Sequence, residues 1–268
     1  MTRWKVEAPL FPPTGRQLTL GLGLIGIGKP WGHTNTAVPP DVAVLELLRT
    51  AYDLGIRYFD TAPSYGCSED RLGKFLGGLT AAERGSVIVA TRFGEHWNAE
   101  RSEPFVDHTH DALARSLDRS LERLGRIDFL QLHKTTPEAL RSRDVERAFA
   151  YAASLGIRNV GASVSDLESA RIALSTSAFS VLQFPFNSAS VQFRKTAQQA
   201  TEAGVLVVAN RPFGMGGLLY GEAPITVASA FDFLCAESFQ GVVLTGTKSG
   251  AHLRENWKAF QAAISVSV

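Results

Sequence analysis

Short runs of Val, Ile, Leu and Phe alternate along the chain with longer stretches in which apolar residues return every three or four positions. The short runs predict strands covered on both faces, and the longer stretches predict amphipathic helices. Between them one local chemistry recurs: a helix end, a glycine, then a strand. It appears at Leu54-Gly55-Ile56, Leu124-Gly125-Arg126, Leu155-Gly156-Ile157 and Ala203-Gly204-Val205. Glycine just past a helix end takes a positive φ without a Cβ penalty, so each joint stops a helix and launches the next strand.

The full pattern predicts strands near Leu20–Gly26, Ile56–Asp60, Val87–Thr91, Ile127–His133, Val160–Ser163, Ser180–Phe184, Val205–Asn210 and Gly241–Thr245. Helices are predicted near Asp41–Leu54, Glu69–Leu76, Thr109–Leu124, Pro137–Leu155, Asp166–Leu174, Ser190–Ala203, Ile225–Ala236 and Ala251–Ala262. Within Thr109–Leu124 the apolar stripe is Leu113, Leu117, Leu121 and Leu124, the spacing of one helical face. Eight βα units in sequence, with no Pro-, Ser- or Gly-rich linker between them, predict an α/β fold: a single (β/α)8 TIM barrel over residues 1–268. A doubly wound open sheet is the alternative. Barrels of this kind build active sites at the carboxyl ends of their strands, so polar residues there are the candidates for chemistry.

Composition narrows the class without naming a reaction. Of 268 residues, 27 are Lys or Arg and 26 are Asp or Glu, a net charge of +1, while 45% are apolar and 20% charged. That balance excludes a disordered or collagen-like chain. Without a block of like charges, nothing marks a nucleic-acid stripe or a polybasic membrane patch. Two cysteines, Cys67 and Cys235, are too few for a disulfide framework, so a reducing, cytoplasmic setting is expected. Met1 to Lys5 lead into prolines rather than an apolar leader, and no run approaches the length of a membrane span.

Three motifs invite functions that their contexts do not support. Gly21-Leu22-Gly23-Leu24-Ile25-Gly26 fits the dinucleotide pattern G-x-G-x-x-G. That use needs a helix to begin at once, whereas Gly28, Pro30 and Gly32 follow, so a first barrel strand and its loop are expected. His108 and His110 lie two apart at a helix start and point to different sides, so no metal site is expected. Gly161-Ala162-Ser163-Val164-Ser165 misses the nucleophile elbow G-x-S-x-G at its last residue.

The strand ends are more informative. Asp60 closes one strand, Arg92 follows the next, His133 ends the run Phe129-Leu130-Gln131-Leu132, and Tyr65 sits five residues past Asp60. A carboxylate, a cation, an imidazole and a phenol delivered to one rim can share hydrogen bonds and shift each other's pKa, which is a proton-transfer site in outline. The bland reading is a structural Asp60–Arg92 ion pair beside a core histidine. Buried ion pairs are poor stabilisers, which favours the functional reading.

The stretch from Gly55 to Gly73, with Phe59-Asp60-Thr61-Ala62 and Tyr65-Gly66 inside it, resembles the signature of the aldo-keto reductase family. Asp128–His133, Val160–Ser163, Val181–Gln183, Arg211–Leu218 and Leu253–Asn256 agree with it in order and spacing. The resemblance implies a nicotinamide-dependent (β/α)8 barrel that reduces carbonyls without a Rossmann domain. It implies Tyr65 as the general acid and His133 as the group that orients the carbonyl oxygen. Asp60 is then the carboxylate paired with a cation that lowers the phenol's pKa from about 10. Where the family has a lysine, this sequence has Arg92, which keeps the charge and can fork two bonds but cannot pass a proton along.

NADPH is the implied cofactor, with NADH left open. Ser163 and Gln183 match the residues that grip the nicotinamide carboxamide, although Val164 replaces the usual asparagine. Asn210 takes the place of a stacking tyrosine, with Phe213 as a substitute platform. Arg211, Pro212, Gly214 and Gly216 resemble the loop beside the pyrophosphate. Toward the adenine end the implied contacts are Thr247, Lys248, His252, Glu255 and Asn256, with Gly246 and His252 in the places of a frequent lysine and arginine. Trp31, Phe93 and Trp97 sit on loops after the first and third predicted strands, as substrate contacts or as packing beneath those loops. Only five residues follow Ala263, from which a shallow mouth is expected. The expected partner is a small aldehyde, ketone or sugar-like carbonyl. The alternatives are a redox-neutral epimerisation or elimination in which Tyr65 and His133 exchange protons, and a non-catalytic NADPH-binding subunit.

Overall fold

The computed structural model describes residues 18–33 and 37–266; the Met1–Lys5 segment lies outside them. The strands are β1 (Leu18–Gly23), β2 (Tyr58–Asp60), β3 (Ile88–Phe93), β4 (Glu95–Asn98), β5 (Glu103–Val106), β6 (Phe129–Leu132), β7 (Asn159–Ser163), β8 (Phe179–Pro185), β9 (Leu206–Asn210) and β10 (Gly241–Thr245). All but β4 and β5 pair in parallel and close into a barrel in the order β1-β10-β9-β8-β7-β6-β3-β2. The helices are α1 (Ile25–Gly28), α2 (Asp41–Asp53), α3 (Ser68–Gly77), α4 (Ala81–Ser86), α5 (His110–Leu124), α6 (Pro137–Leu140), α7 (Arg143–Ser154), α8 (Leu167–Ser175), α9 (Arg194–Glu202), α10 (Gly217–Tyr220), α11 (Val227–Ala236) and α12 (Gly250–Val266). Among the described residues no helix is long and apolar enough to cross a membrane.

The joint glycines behave as the sequence pattern predicts: Gly55, Gly125, Gly156 and Gly204 have φ of 91°, 72°, 85° and 69°. Each ends a helix in the left-handed region and returns the chain to the barrel. The α5 stripe faces inward as expected through Leu113, Leu117 and Leu124.

Along each barrel strand side chains alternate between the lumen and the helices. Tyr58, Ala90, Phe129, Val181, Val208 and Val242 turn inward and fill the lumen with one apolar cluster, while Phe59, Val89, Leu130, Leu182, Val207 and Val243 join the larger core beneath the helices. Two residues further along the same inward rows stand Asp60, Arg92, Gln131, Gln183 and Asn210. The polar ring is therefore the next inner layer above an apolar plug, which is the layering expected of this barrel.

Four local differences from the sequence pattern have physical causes. The first strand is two residues earlier than expected and ends at Gly23, because residues 25–28 turn into α1. The expected helix Pro137–Leu155 is two helices: Arg141 ends α6, and the Ser142 hydroxyl accepts from Asp144 N to begin α7. The segment 81–86 forms α4 behind a reciprocal cap in which Thr80 and Glu83 satisfy each other's backbone N–H groups. The excursion after β3 is an antiparallel hairpin, β4 with β5, in register Glu95↔Val106 to Asn98↔Glu103.

Outside the lumen Glu69 is fully buried and ties three elements together. It accepts from Thr91 Oγ1 on β3 at 2.7 Å, from Ser120 Oγ on α5 at 2.8 Å and from Arg123 Nη1 at 3.1 Å. Replacing Glu69 with Ala strands two buried hydroxyls and leaves a cavity, so a loss of about 3 kcal/mol is expected. The check is a urea midpoint lowered with an unchanged m-value; a midpoint within experimental error of the native one contradicts this account.

Candidate active site

Asp60 is the last residue of β2 and Arg92 lies on the neighbouring β3, two residues beyond Asp60's partner Ala90. Arg92 Nη2 donates to Asp60 Oδ1 at 2.6 Å, with both side chains at most 2% exposed. The second arm of the guanidinium, Nη1, donates to Tyr65 Oη. Tyr65 is held by the turn leaving β2: its N–H donates to Ala62 O at 3.0 Å and its carbonyl accepts from Ser68 N at 3.3 Å. Gly28 packs so closely on this turn that a Cβ there would lie 1.7 Å from Tyr65 O. Only glycine permits that approach.

His133 follows β6 and continues its ladder by donating its N–H to Phe93 O at 2.9 Å. Its ring meets Tyr65 edge-on, centroids 6.0 Å apart at 83°. His108 Nε2 donates to the His133 carbonyl at 2.9 Å, which gives that histidine a positioning contact. Burial, with the positive charges of Arg92, Lys134 and Lys29, drives the His133 pKa well below its ordinary value, so the ring is neutral. Burial pushes the Tyr65 pKa up to about 12; Arg92 opposes this, and Asp60 and Glu95 reinforce it. The cation beside the phenol acts in the expected direction, but burial outweighs it. Burial also raises Asp60 to about 6 against the pull of Arg92, while Arg92, held by Asp60 and Tyr65, stays charged.

These four groups line one cavity of about 1170 Å³ at the carboxyl end of the barrel. The sequence pattern of the Aldo/keto reductase family matches residues 19–232. The chain belongs to that family. It is 24% identical over 207 residues, 74% of this chain and 59% of the relative, to an aldo-keto reductase of Schizosaccharomyces pombe whose name carries NADP(+). With the L-galactose dehydrogenase of Arabidopsis thaliana it shares 37% over 134 residues, 48% of this chain and 38% of that one. The chain thus spans 59% or less of the length of these two curated relatives. A solved structure from Pseudomonas aeruginosa assigned to the aldo-keto reductases superposes with a TM-score of 0.77 at 25% identity, covering 98% of this chain and 97% of that one.

The rest of the aldo-keto reductase residue set falls mostly on the same wall. Ser163, Gln183, Arg211, Pro212, Phe213, Gly216, Thr247, Lys248, His252, Glu255, Asn256 and Trp31 line the cavity, and Gly214 does not. Gln183 is buried with neither amide atom partnered, and Asn210 Oδ1 is in the same condition. Such orphaned groups ask for a ligand. Asn256 is already engaged, donating Nδ2 to Thr245 Oγ1 at 2.9 Å. The loop that carries Arg211 holds two non-glycine residues in the left-handed region, Arg211 at φ 58° and Met215 at φ 60°. Asn187 Nδ2 braces it by donating to Arg211 O at 2.8 Å.

Two substrate expectations change. Phe93 belongs to β3 one residue beyond the inward Arg92, so it points outward and meets Phe149 edge-to-face with centroids 5.0 Å apart; it is packing, not a substrate contact. Trp97 lies on β4, off the cavity wall, its half-buried ring 5.4 Å from Lys29 Nζ. Sequence reasoning passed over Glu95. The β4–β5 hairpin turns it into the cavity, where its Oε2 accepts from Ser64 Oγ at 2.7 Å and lies 3.1 Å from His133 Nδ1, off the direction a hydrogen bond needs. Lys29, Lys134, His33 and Tyr220 line the same mouth. His33, on the loop after the first strand, is a candidate substrate contact from the sequence; Lys29 is brought in by the turn of α1, Lys134 directly follows His133, and Tyr220 ends α10.

The Tyr65 phenol is expected to ionise near pH 12, later than an exposed tyrosine. Subtracting the phenolate absorbance titration of Tyr65→Phe from that of the native protein isolates it. A difference curve centred near pH 10 or below contradicts the dominance of burial.

Proposed function

We propose that this protein is an NADPH-dependent oxidoreductase that interconverts an aldehyde, ketone or sugar-like carbonyl with its alcohol, with Tyr65 as the proton donor. One observation carries the reading: a phenol hydrogen-bonded to a buried guanidinium shares a single cavity with the unpartnered amide of Gln183 and the unpartnered Oδ1 of Asn210. Gln183 offers a donor and an acceptor together, the pair a carboxamide requires, and Ser163 stands on the adjoining strand in register with it. NADPH rather than NADH is supported by Lys248 and Thr247 on the wall and by the NADP(+) in the name of the Schizosaccharomyces pombe relative. A cytoplasmic setting belongs to the same reading.

Bound there, a reduced nicotinamide supplies the hydride for the carbonyl carbon. The remaining work falls to side chains. His133, neutral and edge-on to Tyr65, orients the carbonyl oxygen toward Tyr65 Oη. Tyr65 keeps its proton across the neutral range and gives it up as charge builds on that oxygen. Arg92 is already hydrogen-bonded to Oη, so it meets the developing phenolate with a full positive charge and no reorganisation. Asp60 fixes the other arm of the fork by accepting from Arg92 Nη2.

Tyr65→Phe is the direct test. NADPH binding, followed by nicotinamide fluorescence, is expected to persist while carbonyl reduction falls by about 10²–10⁴-fold; native-like turnover in this variant overturns the reading. The raised phenol pKa has a sign in each direction. Reduction uses the protonated form, so its kcat stays flat from pH 7 to about 10. Alcohol oxidation needs the phenolate, so its kcat climbs about tenfold per pH unit over the same range. A plateau of the oxidative rate below about pH 9 contradicts Tyr65 as the proton-transfer group with this pKa.

A further inference from the structure

On the substrate side of the cavity the charges do not balance. Lys29, at the end of α1, carries its ammonium into the mouth, 5.4 Å from the Trp97 ring centroid, 5.7 Å from that of Tyr65 and 6.0 Å from that of Trp31. It is half-buried, and among the described residues it forms no ion pair with a carboxylate. Lys134 comes from the opposite side at φ 52°, in the left-handed region without being glycine, and its Nζ lies 3.3 Å from Glu95 Oε1. Glu95 is the acid these two lysines share, and the charge of Asp60 is committed to Arg92. His133 is neutral. Two ammonium groups therefore face one carboxylate beside the Tyr65 phenol.

A half-buried ammonium walled by aromatic rings, whose nearby carboxylate Glu95 is already paired with Lys134, costs stability, as does a non-glycine residue in the left-handed region. Both costs fall at the mouth of the proposed active site, and both find a reason if the molecule that enters supplies the missing negative charge. We propose that the substrate is a carbonyl compound bearing an anionic group, a carboxylate or a phosphate, paired by Lys29, with the Trp31 ring on the cavity wall beside the charged end and Trp97 packed behind the ammonium. This rests on the carbonyl oxidoreductase reading. It adds that Lys29 sets specificity, through attraction to an anion rather than through the proton transfer itself.

The test uses matched pairs on the whole protein with NADPH: 4-formylbenzoate against its methyl ester, and glyceraldehyde 3-phosphate against glyceraldehyde. The native enzyme is expected to favour the anion of at least one pair about tenfold or more in kcat/KM, and which pair responds separates carboxylate from phosphate recognition. Lys29→Met should cut that preference about tenfold through KM, the effect of one charged contact. The ratio is internal to each variant, so a general loss of active enzyme cancels. Equal treatment of acid and neutral partner in both pairs, or a preference that Lys29→Met leaves intact, overturns the inference. If none of the four compounds turns over while NADPH binds, the oxidoreductase reading fails. The charge inference is then decided by calorimetric titration of the same pairs, where equal affinities for anion and neutral partner overturn it.

Discussion

The upper interior of the barrel is organised by one buried chain of charge-assisted hydrogen bonds, Asp60 to Arg92 to Tyr65. Taking such a pair out of water costs several kcal/mol per ion, and replacing it with apolar side chains is often neutral or stabilising. Its partners are not even fully satisfied. Among the described residues Asp60 Oδ2 and Arg92 Nε have no partner, nor do the Gln131 amide in register with Arg92 and Tyr58 Oη in the layer below. A stratum of unpaired polar atoms thus lies between the apolar plug and the cavity. Stability does not account for it. Position does, because the pair holds a phenol at the place where the cavity wall is otherwise lined by orphaned amides.

Arginine at this place changes the electrostatics in a definite way. A lysine offers one compact ammonium, whereas a guanidinium offers two arms in a fixed plane, and here one arm takes the carboxylate and the other the phenol. The spacing between Asp60 and Tyr65 is therefore set by the fork itself. The delocalised charge does not overcome burial and the nearby carboxylates of Asp60 and Glu95, so the phenol titrates high. A high pKa keeps the phenol protonated at neutral pH and makes loss of its proton depend on how well Arg92 stabilises the phenolate left behind.

The layered interior was legible from parity alone. Counting by twos from Tyr58 reaches Asp60, and from Ala90 reaches Arg92, so residues that end inward rows meet at one height once the strands are parallel and the glycine joints are placed. The same count, carried one step further, excludes Phe93 from the cavity. The hairpin was not legible: Glu95–Asn98 and Glu103–Val106 show neither clean alternation nor a continuous apolar run, and β5 is exposed along its whole length. Glu95 was missed with it, since an acid in a polar stretch looks like a solvated one until the fold turns it inward. The break between α6 and α7 escaped for a smaller reason: Ser142 competes with the helix for the Asp144 N–H, which hydrophobic periodicity does not register.

The two halves of the cavity follow different rules. One half is made from strand ends, Ser163, Gln183 and Asn210, rigid and left with unpaired amides that a neutral hydrogen-bonding group satisfies. The other is made from the α1 turn, the hairpin and the residue after His133, and it is read by charge and by aromatic rings. Strand ends are fixed by the barrel's hydrogen bonds, so their chemistry is tied to the fold and resembles that of other barrels built the same way. Loops at the rim carry no such constraint. Rim loops can therefore alter substrate choice without moving the strand ends. Lys29, lying over Tyr65 from outside the ring of strand ends, is placed to choose the substrate without disturbing the Asp60–Arg92–Tyr65 chain beneath.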